Sequence, residues 1–134
     1  MAEAVLEVIR AEIELRRVPF HRLARRLGQP GAESSGTDGG REDEARLVRG
    51  CLWTASSRLP WKPRCLVMVF AGHRMLERRG IASTVYFGAA ASTGKLATHA
   101  WLRSGGVYVS GEGPLKDFTV LASFARPAEP FDPV

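Results

Sequence analysis

Cysteine and histidine are scarce in this 134-residue chain, and their scarcity excludes several classes of protein. Two cysteines, Cys51 and Cys65, are too few for a disulfide scaffold and favour a reducing compartment. Three histidines are present, but no C-x-x-C or H-x-x-x-H spacing occurs, so we expect no metal site. The sequence also has no phosphate loop, no G-x-S-x-G elbow and no dinucleotide fingerprint, which argues against those three kinds of active site.

Long apolar runs are missing as well. No stretch approaches the roughly 20 apolar residues that a membrane span needs. Glu3 stands where a secretory signal would carry basic residues, and Arg10 and Glu12 interrupt the apolar run that follows. With 45% hydrophobic and 25% charged residues, the composition is that of an ordinary globular domain. We therefore expect one cytoplasmic domain that does not contact a membrane.

Positive charge is in excess, with 19 Lys and Arg against 14 Asp and Glu, a net charge of +5. Such an excess has two explanations. The basic residues form either the solvated face of an amphipathic helix, which we favour, or a binding surface for an acidic peptide, a partner protein or nucleic acid. No aromatic-rich strand motif or zinc-finger spacing accompanies it, so we expect no nucleic-acid partner. Much of the excess lies in one basic segment: Arg16, Arg17, Arg22, Arg25 and Arg26.

Hydrophobic periodicity predicts helices in the first half of the chain. Residues 1–28 read as a helical segment in two pieces, broken near Pro19 and closed by Gly28. Residues 29–41 are rich in Gly and Ser with few apolar side chains, which predicts a flexible linker. We take residues 42–125 as the core that carries the chemistry and 126–134, with their prolines, as a surface tail.

Two further helices are predicted within the core. The first spans about Glu42 to Arg58, and the second begins at Pro63, ends at Gly80 and is apolar on most sides. Histidines among arginines on a helix, His21 and His73, are expected to be solvated. The inward-facing residues predicted for the first of these helices are Leu47, Val48, Cys51, Leu52 and Ala55.

After Gly80 the hydrophobic period changes from 3.6 to 2, which predicts strands. The stretch Ala89–Lys95 reads as a loop of small residues and Ser104–Gly106 as a hairpin turn. Helices followed by an antiparallel meander make an α+β fold. The four predicted strands are Thr84–Phe87, Thr98–Arg103, Val107–Ser110 and Phe118–Phe124.

Cys65 and His99 form the most informative pair of residues. Cys65 lies at the mouth of the apolar helix, where unpaired backbone N–H groups and the helix dipole favour a thiolate. His99 lies on a predicted strand between Ala97 and Trp101. A half-buried imidazole in that position is favourable when its ring nitrogens have a hydrogen-bond partner. The pattern predicts Cys65 as nucleophile and His99 as its base, whereas Cys51, in the middle of an apolar stripe, is a core residue.

The third member of this site is left open by the sequence. A catalytic histidine usually needs a group that orients it. If Gly105-Gly106 is a two-residue turn, Glu112 opposes His99 and Ser110 opposes Trp101. With a three-residue turn, Gly111 would oppose His99 instead. We favour Glu112, and Ser110, Asp117 or a backbone carbonyl are the alternatives.

Other groups are predicted to bind the substrate or stabilise charge. The backbone N–H of Cys65 is a candidate oxyanion donor. Trp61 and Trp101 are large aromatic residues near the two motifs. We expect them either to shield the site from water or to contact a peptide, and Trp101 is equally consistent with a core residue. Ser110 is a third candidate for contact with substrate.

Four motifs in order resemble one known family, the leader peptidases of lasso-peptide biosynthesis, and the likeness covers roughly residues 45–125. Its split form, in which leader recognition belongs to a separate protein, looks most similar because this chain leaves no room for a recognition domain. An exact match to the family's third residue is missing at Ser110–Gly113. The motifs are Leu59–Leu66 (LPWKPRCL), Arg74–Ile81 (RMLERRGI), His99–Leu102 (HAWL) and Phe118–Phe124 (FTVLASF).

The resemblance implies a transglutaminase-like, papain-related core with Cys65 as nucleophile and His99 as base. It also implies an activity, which is cysteine-peptidase removal of the leader from a ribosomally made precursor, without metal or organic cofactor. The implied partners are the precursor peptide, a separate leader-binding protein and an ATP-using cyclase. Two alternatives stay open: another acyl-transfer enzyme on the same core, such as an amide-forming transferase, or a non-catalytic peptide-binding module.

Overall fold

Helices occupy the first half of the chain. The computed structural model describes residues 2–31, 41–92, 95–111 and 118–125. Pro19, whose extended backbone (φ −57°, ψ 141°) cannot continue a helix, separates the first two helices as predicted. The helices are α1 (Ala2–Arg17), α2 (Phe20–Ala24) with a 3₁₀ turn at Arg25–Leu27, α3 (Glu42–Arg58) and α4 (Cys65–Arg78).

Helix α4 begins two residues later than the sequence predicts. Arg64 is its N-cap, with extended backbone (φ −68°, ψ 156°), and the Arg64 carbonyl accepts a hydrogen bond from the Met68 N–H at 3.1 Å. Pro63 therefore precedes the helix instead of occupying its first turn. Cys65 is therefore the first residue of the helix and not, as predicted, the third.

The second half of the chain adds four strands of a five-stranded antiparallel sheet. The strand order is β1-β5-β2-β3-β4, so β5 returns to the far side of β2 and the predicted meander holds only for β2–β4. The strands are β1 (Gln29–Pro30), β2 (Thr84–Ser92), β3 (Lys95–Ser104), β4 (Val107–Ser110) and β5 (Thr119–Ala125).

Two segments predicted as loop or linker belong to this sheet. Gln29–Pro30 pair with Phe124 and Ala125 at the end of β5. Ala89–Ser92 continue β2, because the hairpin register with β3 runs without interruption to the Ser92–Lys95 pair. Alanine has low strand propensity, but the pairing with a neighbouring strand overrides it.

One apolar core joins the helices to one face of the sheet. Helix α4 packs on α1, α3 and β3, and α1 also packs on α3. One face of the N-terminal helix is thus buried in the same core as the later elements, whereas Leu6 and Ile13 of that helix are exposed. The core includes Ala4, Val8 and Ala11 of α1, Val48, Leu52 and Ala55 of α3, Val67, Met75 and Leu76 of α4, and Val85, Ala100 and Leu102 of the sheet.

An ion-pair network ties α1 to α4 at the edge of this core. The carboxylate of Glu7, 4% exposed, lies 2.8 Å from Arg78 and 3.5 Å from Arg74. Glu3 accepts a hydrogen bond from Arg79 at 2.7 Å. We call these five residues the α1–α4 network.

Some burial predictions are corrected by the fold. Leu47 is 65% exposed, although the sequence predicts it to face inward with Val48 and Leu52. His73 is buried at 7% exposure, whereas His21 is exposed as predicted. The described helices include none that is long and apolar enough to cross a bilayer.

The basic segment is exposed and partly neutralised within the chain. Arg16 pairs with Glu12 one helical turn earlier, and Arg26 pairs with Glu14. Arg17, like Arg16 and Arg26, is exposed to solvent. Intramolecular pairing of this kind is typical of the solvated helix face that the sequence analysis favours.

Candidate active site

One cleft brings the two central predicted residues together. Cys65 and His99 both line a cleft of about 620 Å³. Its walls are the second half of α3, the Lys62–Arg64 segment, the first turn of α4 and β4. A volume of this size lies within the range of about 300–1,000 Å³ that is usual for ligand sites.

Cys65 opens α4 and is half-buried in the cleft wall. As the first helical residue, it has no intrahelical acceptor for its own N–H, and the same holds for Leu66 and Val67. Arg64, the N-cap, makes no side-chain capping hydrogen bond that would satisfy these donors. The start of α4 therefore offers unpaired N–H donors and the positive end of the helix dipole to a negatively charged group beside Cys65.

His99 lies in the middle of β3 with aromatic rings around it. The Trp101 ring meets the imidazole edge to face, with 4.6 Å between ring centroids. The Phe118 ring lies 6.0 Å from the imidazole, and Trp101 and Phe118 contact each other at 4.9 Å. These rings restrict the orientation of His99 and shield one side of it from water.

Two glycines allow Trp101 to occupy its buried position. Gly88 pairs with His99 across β2 and β3, and a Cβ at Gly88 would lie 2.9 Å from Trp101 Cζ3. A Cβ at Gly111 would lie 2.3 Å from Trp101 Cδ1, and Gly111 also has a φ of +117°, which disfavours any side chain. Gly88 and Gly111 thus fix the indole against which His99 packs.

His99 reaches the cleft at the rim of the sheet. Strand alternation places His99 and Trp101 on the face opposite Ala100 and Leu102, which belong to the core beneath α4. The pairing of β3 with β4 extends only from Ser104 to Leu102. Cys65 and His99 therefore share a cleft at the point where β4 diverges from β3, next to the start of α4.

The position of Ser110 differs from the prediction by one residue. The two-residue turn is confirmed, since Ser104 pairs with Val107 and Arg103 with Tyr108. A bulge then places Ser110 opposite Leu102, so the prediction that it opposes Trp101 is wrong.

The hydroxyl of Ser110 lines the cleft, but it is buried and has no hydrogen-bond partner in the described part of the chain. Ser110 therefore does not orient His99 in this structure. A contact between Ser110 and substrate remains a prediction.

The two tryptophans predicted for the site do not line the cleft. Trp101 is 1% exposed and lies behind His99, outside the set of cleft-lining residues that the structure describes. Trp61 is exposed in the segment before α4 and is likewise not one of those lining residues. Glu112 and Asp117 lie outside the described residues, so their roles stay predictions.

Sequence reasoning missed the contribution of α3 to the cleft. Arg49, Leu52, Trp53 and Ser56 line it from one face of that helix. Their spacing of i, i+3, i+4 and i+7 is the signal that was available. Trp53 in particular is a large apolar residue outside the core stripe of α3, and it is 65% exposed.

The donor set at the cleft suits nucleophilic chemistry. The described residues contain no group of three or more His, Cys, Asp or Glu side chains placed to hold a metal ion. A thiol at a helix start, an imidazole in the same cleft and backbone N–H donors beside the thiol are the components of covalent acyl transfer.

Comparison with known proteins agrees with this chemistry. The family model of the transglutaminase-like superfamily matches residues 5–123, which include most of α1, the Cys65 helix and the His99 strand. No curated protein and no solved structure shows a significant match to the chain. Because the match covers nearly the whole sequence, the chain belongs to the transglutaminase-like superfamily.

Proposed function

We propose that this protein is a cysteine peptidase that removes the leader peptide from a lasso-peptide precursor. The observation that carries the proposal is the shared cleft of Cys65, at the start of α4, and His99. Members of the superfamily are typically cysteine-dependent enzymes. The resemblance of the motifs around these residues to the leader peptidases supplies the substrate class.

The proposed reaction begins when the Cys65 proton moves to His99 and the thiolate attacks the carbonyl before the scissile bond. A C–S bond forms, and the backbone N–H of Cys65 donates to the oxyanion. The C–N bond then breaks as His99 returns the proton to the leaving amine, which is the new N-terminus of the product. Water next attacks the acyl-enzyme and gives a proton to His99. The C–S bond breaks, and the leader leaves as a carboxylic acid.

In this proposal the chain acts with two other proteins. A separate leader-binding protein presents the precursor, and a cyclase uses the exposed amine after cleavage. Both partners follow from the family resemblance, and the peptidase step needs no cofactor in this scheme.

The test is incubation of a precursor peptide with this protein and its leader-binding partner, followed by mass spectrometry. We expect two fragments whose masses sum to the precursor plus one water, and none with the His99→Ala protein. An intact precursor after incubation with both proteins contradicts the proposal.

The same experiment separates the other function classes. With an added primary amine, a leader fragment that carries the amine in place of water indicates an amide-forming transferase. A precursor that is bound with unchanged mass indicates a non-catalytic module.

A further inference from the structure

The cleft beside Cys65 is rimmed by cations. Arg49, Lys62 and Arg64 line it and are exposed, while none of its described lining residues is an Asp or Glu. None of the three forms an ion pair within the described part of the chain. Each cation is therefore available to a charge from outside.

Several exposed arginines outside the cleft are paired within the chain. Arg10, Arg46 and Arg78, all exposed, each lie within 3.3 Å of a carboxylate oxygen of the same chain.

Arg17, Arg22 and Arg25 are also exposed and have no ion pair within the described residues, but they do not line this cleft. Arg49, Lys62 and Arg64 differ because all three line one concave space that has no described carboxylate. Uncompensated charge along one cleft raises the local concentration of ligands of opposite charge.

The walls between these cations are apolar. Trp53 and Tyr108 are 65% and 39% exposed, and both face the same cleft as Leu66 and Met68. Such rings offer contact area for an apolar side chain with little loss of conformational entropy. The cleft therefore combines a charged rim with an apolar wall.

Ser110 adds an independent indication that the cleft holds a polar ligand. Its hydroxyl is buried, lines the cleft and has no hydrogen-bond partner among the described residues. A buried hydroxyl without a partner costs stability, and a ligand group such as a peptide N–H or C=O would satisfy it.

We propose that this cleft selects an extended peptide segment that carries a carboxylate side chain next to a large apolar one. Arg49 and Arg64 pair with the carboxylate, Trp53 and Tyr108 contact the apolar side chain, and Ser110 bonds the peptide backbone. The inference rests on the proposed function, because it names the sequence class of the peptide brought to Cys65.

The test measures binding without turnover. The probes are two acetylated and amidated hexapeptides, Ala-Leu-Glu-Phe-Glu-Ala and the same peptide with Gln at both Glu positions. The protein is the Cys65→Ala variant, and affinities come from isothermal titration calorimetry at low salt. We expect the Glu peptide to bind at least about tenfold more tightly, with the preference falling as salt is raised.

Matched variants test whether the preference for the Glu peptide depends on the cleft arginines. Arg49→Gln combined with Arg64→Gln is expected to reduce the preference to less than about threefold. Arg17→Gln combined with Arg22→Gln, which removes the same number of exposed and unpaired charges outside the cleft, is expected to retain it. Both changes are at exposed positions, and thermal melting of each variant checks that it is folded.

Equal affinity for the two hexapeptides, or no binding of the Glu peptide, overturns the inference. So does a preference that survives in the double variant. Because the Cys65→Ala protein binds without cleaving, this result is separate from the precursor assay. A precursor left intact by the wild-type protein contradicts the proposed function even where the hexapeptide preference is observed.

Discussion

The α1–α4 network and the Cys65 cleft use similar residues in opposite ways. In the network, the buried carboxylate of Glu7 accepts from Arg78 at 2.8 Å and also lies 3.5 Å from Arg74. In the cleft, Arg49 and Arg64 have no carboxylate partner among the described residues. One region satisfies its charged groups within the chain, and the other leaves them exposed at a cleft.

The difference teaches where stability and function lie in this domain. A buried charge that loses its partner destabilises the fold, because the desolvation of that charge is no longer compensated. An exposed cation at a cleft rim contributes little to folding. Substitutions in the network should therefore change stability while leaving chemistry intact, and substitutions in the cleft should do the reverse.

The largest expected effect is loss of the nucleophile. Cys65→Ala should lower the rate of precursor cleavage by at least about 10³-fold, because no other group forms the acyl-enzyme. Thermal melting should be nearly unchanged. The matched control is Cys51→Ala, which removes the thiol of α3 and should leave the cleavage rate within about threefold. Cleavage that survives Cys65→Ala would contradict the assignment.

The second largest effect is expected when Glu7 is removed from the α1–α4 network. Glu7→Ala should lower the free energy of unfolding by about 1.5–3 kcal/mol, because it removes the charge-assisted hydrogen bond from Arg78 and the ion pair with Arg74. Arg74 and Arg78 keep their pairs with Glu14 and Glu3. Urea denaturation measures the loss, and cleavage per folded molecule should stay unchanged. Asp43→Asn is the control, because its side chain is 95% exposed and pairs only at the surface with Arg46, so a change below about 1 kcal/mol is expected. Equal losses in the two variants would remove the distinction.

The third effect concerns the predicted acid of the site. Glu112→Ala should slow turnover by more than about tenfold if Glu112 orients His99, with little change in stability. Glu112→Gln separates orientation by hydrogen bonding from stabilisation of the imidazolium, because only the charge is lost. A rate that Glu112→Ala leaves unaltered would exclude this residue and leave Asp117 or a backbone carbonyl.

The smallest effect is a dependence of stability on pH. The hydrogen bond from Arg79 holds the pKa of Glu3 below its usual range. Because the folded pKa is the lower one, the stabilisation is complete above the unfolded value of about 4.3 and is lost as pH falls through the folded pKa.

Comparison of Glu3→Gln with the wild type tests this linkage. The wild type should be more stable at neutral pH by about 0.5 kcal/mol, and the gap should close in acid. Denaturation curves at several pH values measure it. A gap that stays constant from neutral to acid pH would show that the Glu3 charge is not responsible.

The helices show how far local sequence predicts this fold. The bounds of α3, Glu42–Arg58, match the prediction because apolar spacing and Pro60 define both ends. The predicted start of α4 is wrong by two residues. Pro63 is compatible with a first helical turn, but in the structure it is buried in the cleft wall before the helix begins. Burial depends on what packs against a position, which the helical period alone does not state.

The sheet shows where local reasoning fails. Ala89–Ser92 have low strand propensity and form a strand because β3 pairs with them. The bulge beyond Tyr108 shifts Ser110 by one residue, and no local signal in the strand sequence marks it. Because side chains alternate along a strand, one residue of register decides which groups neighbour Ser110.

The sequence by itself determined the α+β class, the helix that carries Cys65 and the strand that carries His99. These depend on periodicity and on motifs within a few residues of each other. Only the tertiary structure decided that both residues line one cleft, that Gly88 and Gly111 fix Trp101 beside His99, and that Arg49 and Trp53 face the same space. Such proximity joins residues that are tens of positions apart in the chain, and it is set by packing of α3, α4 and the sheet rather than by local preference.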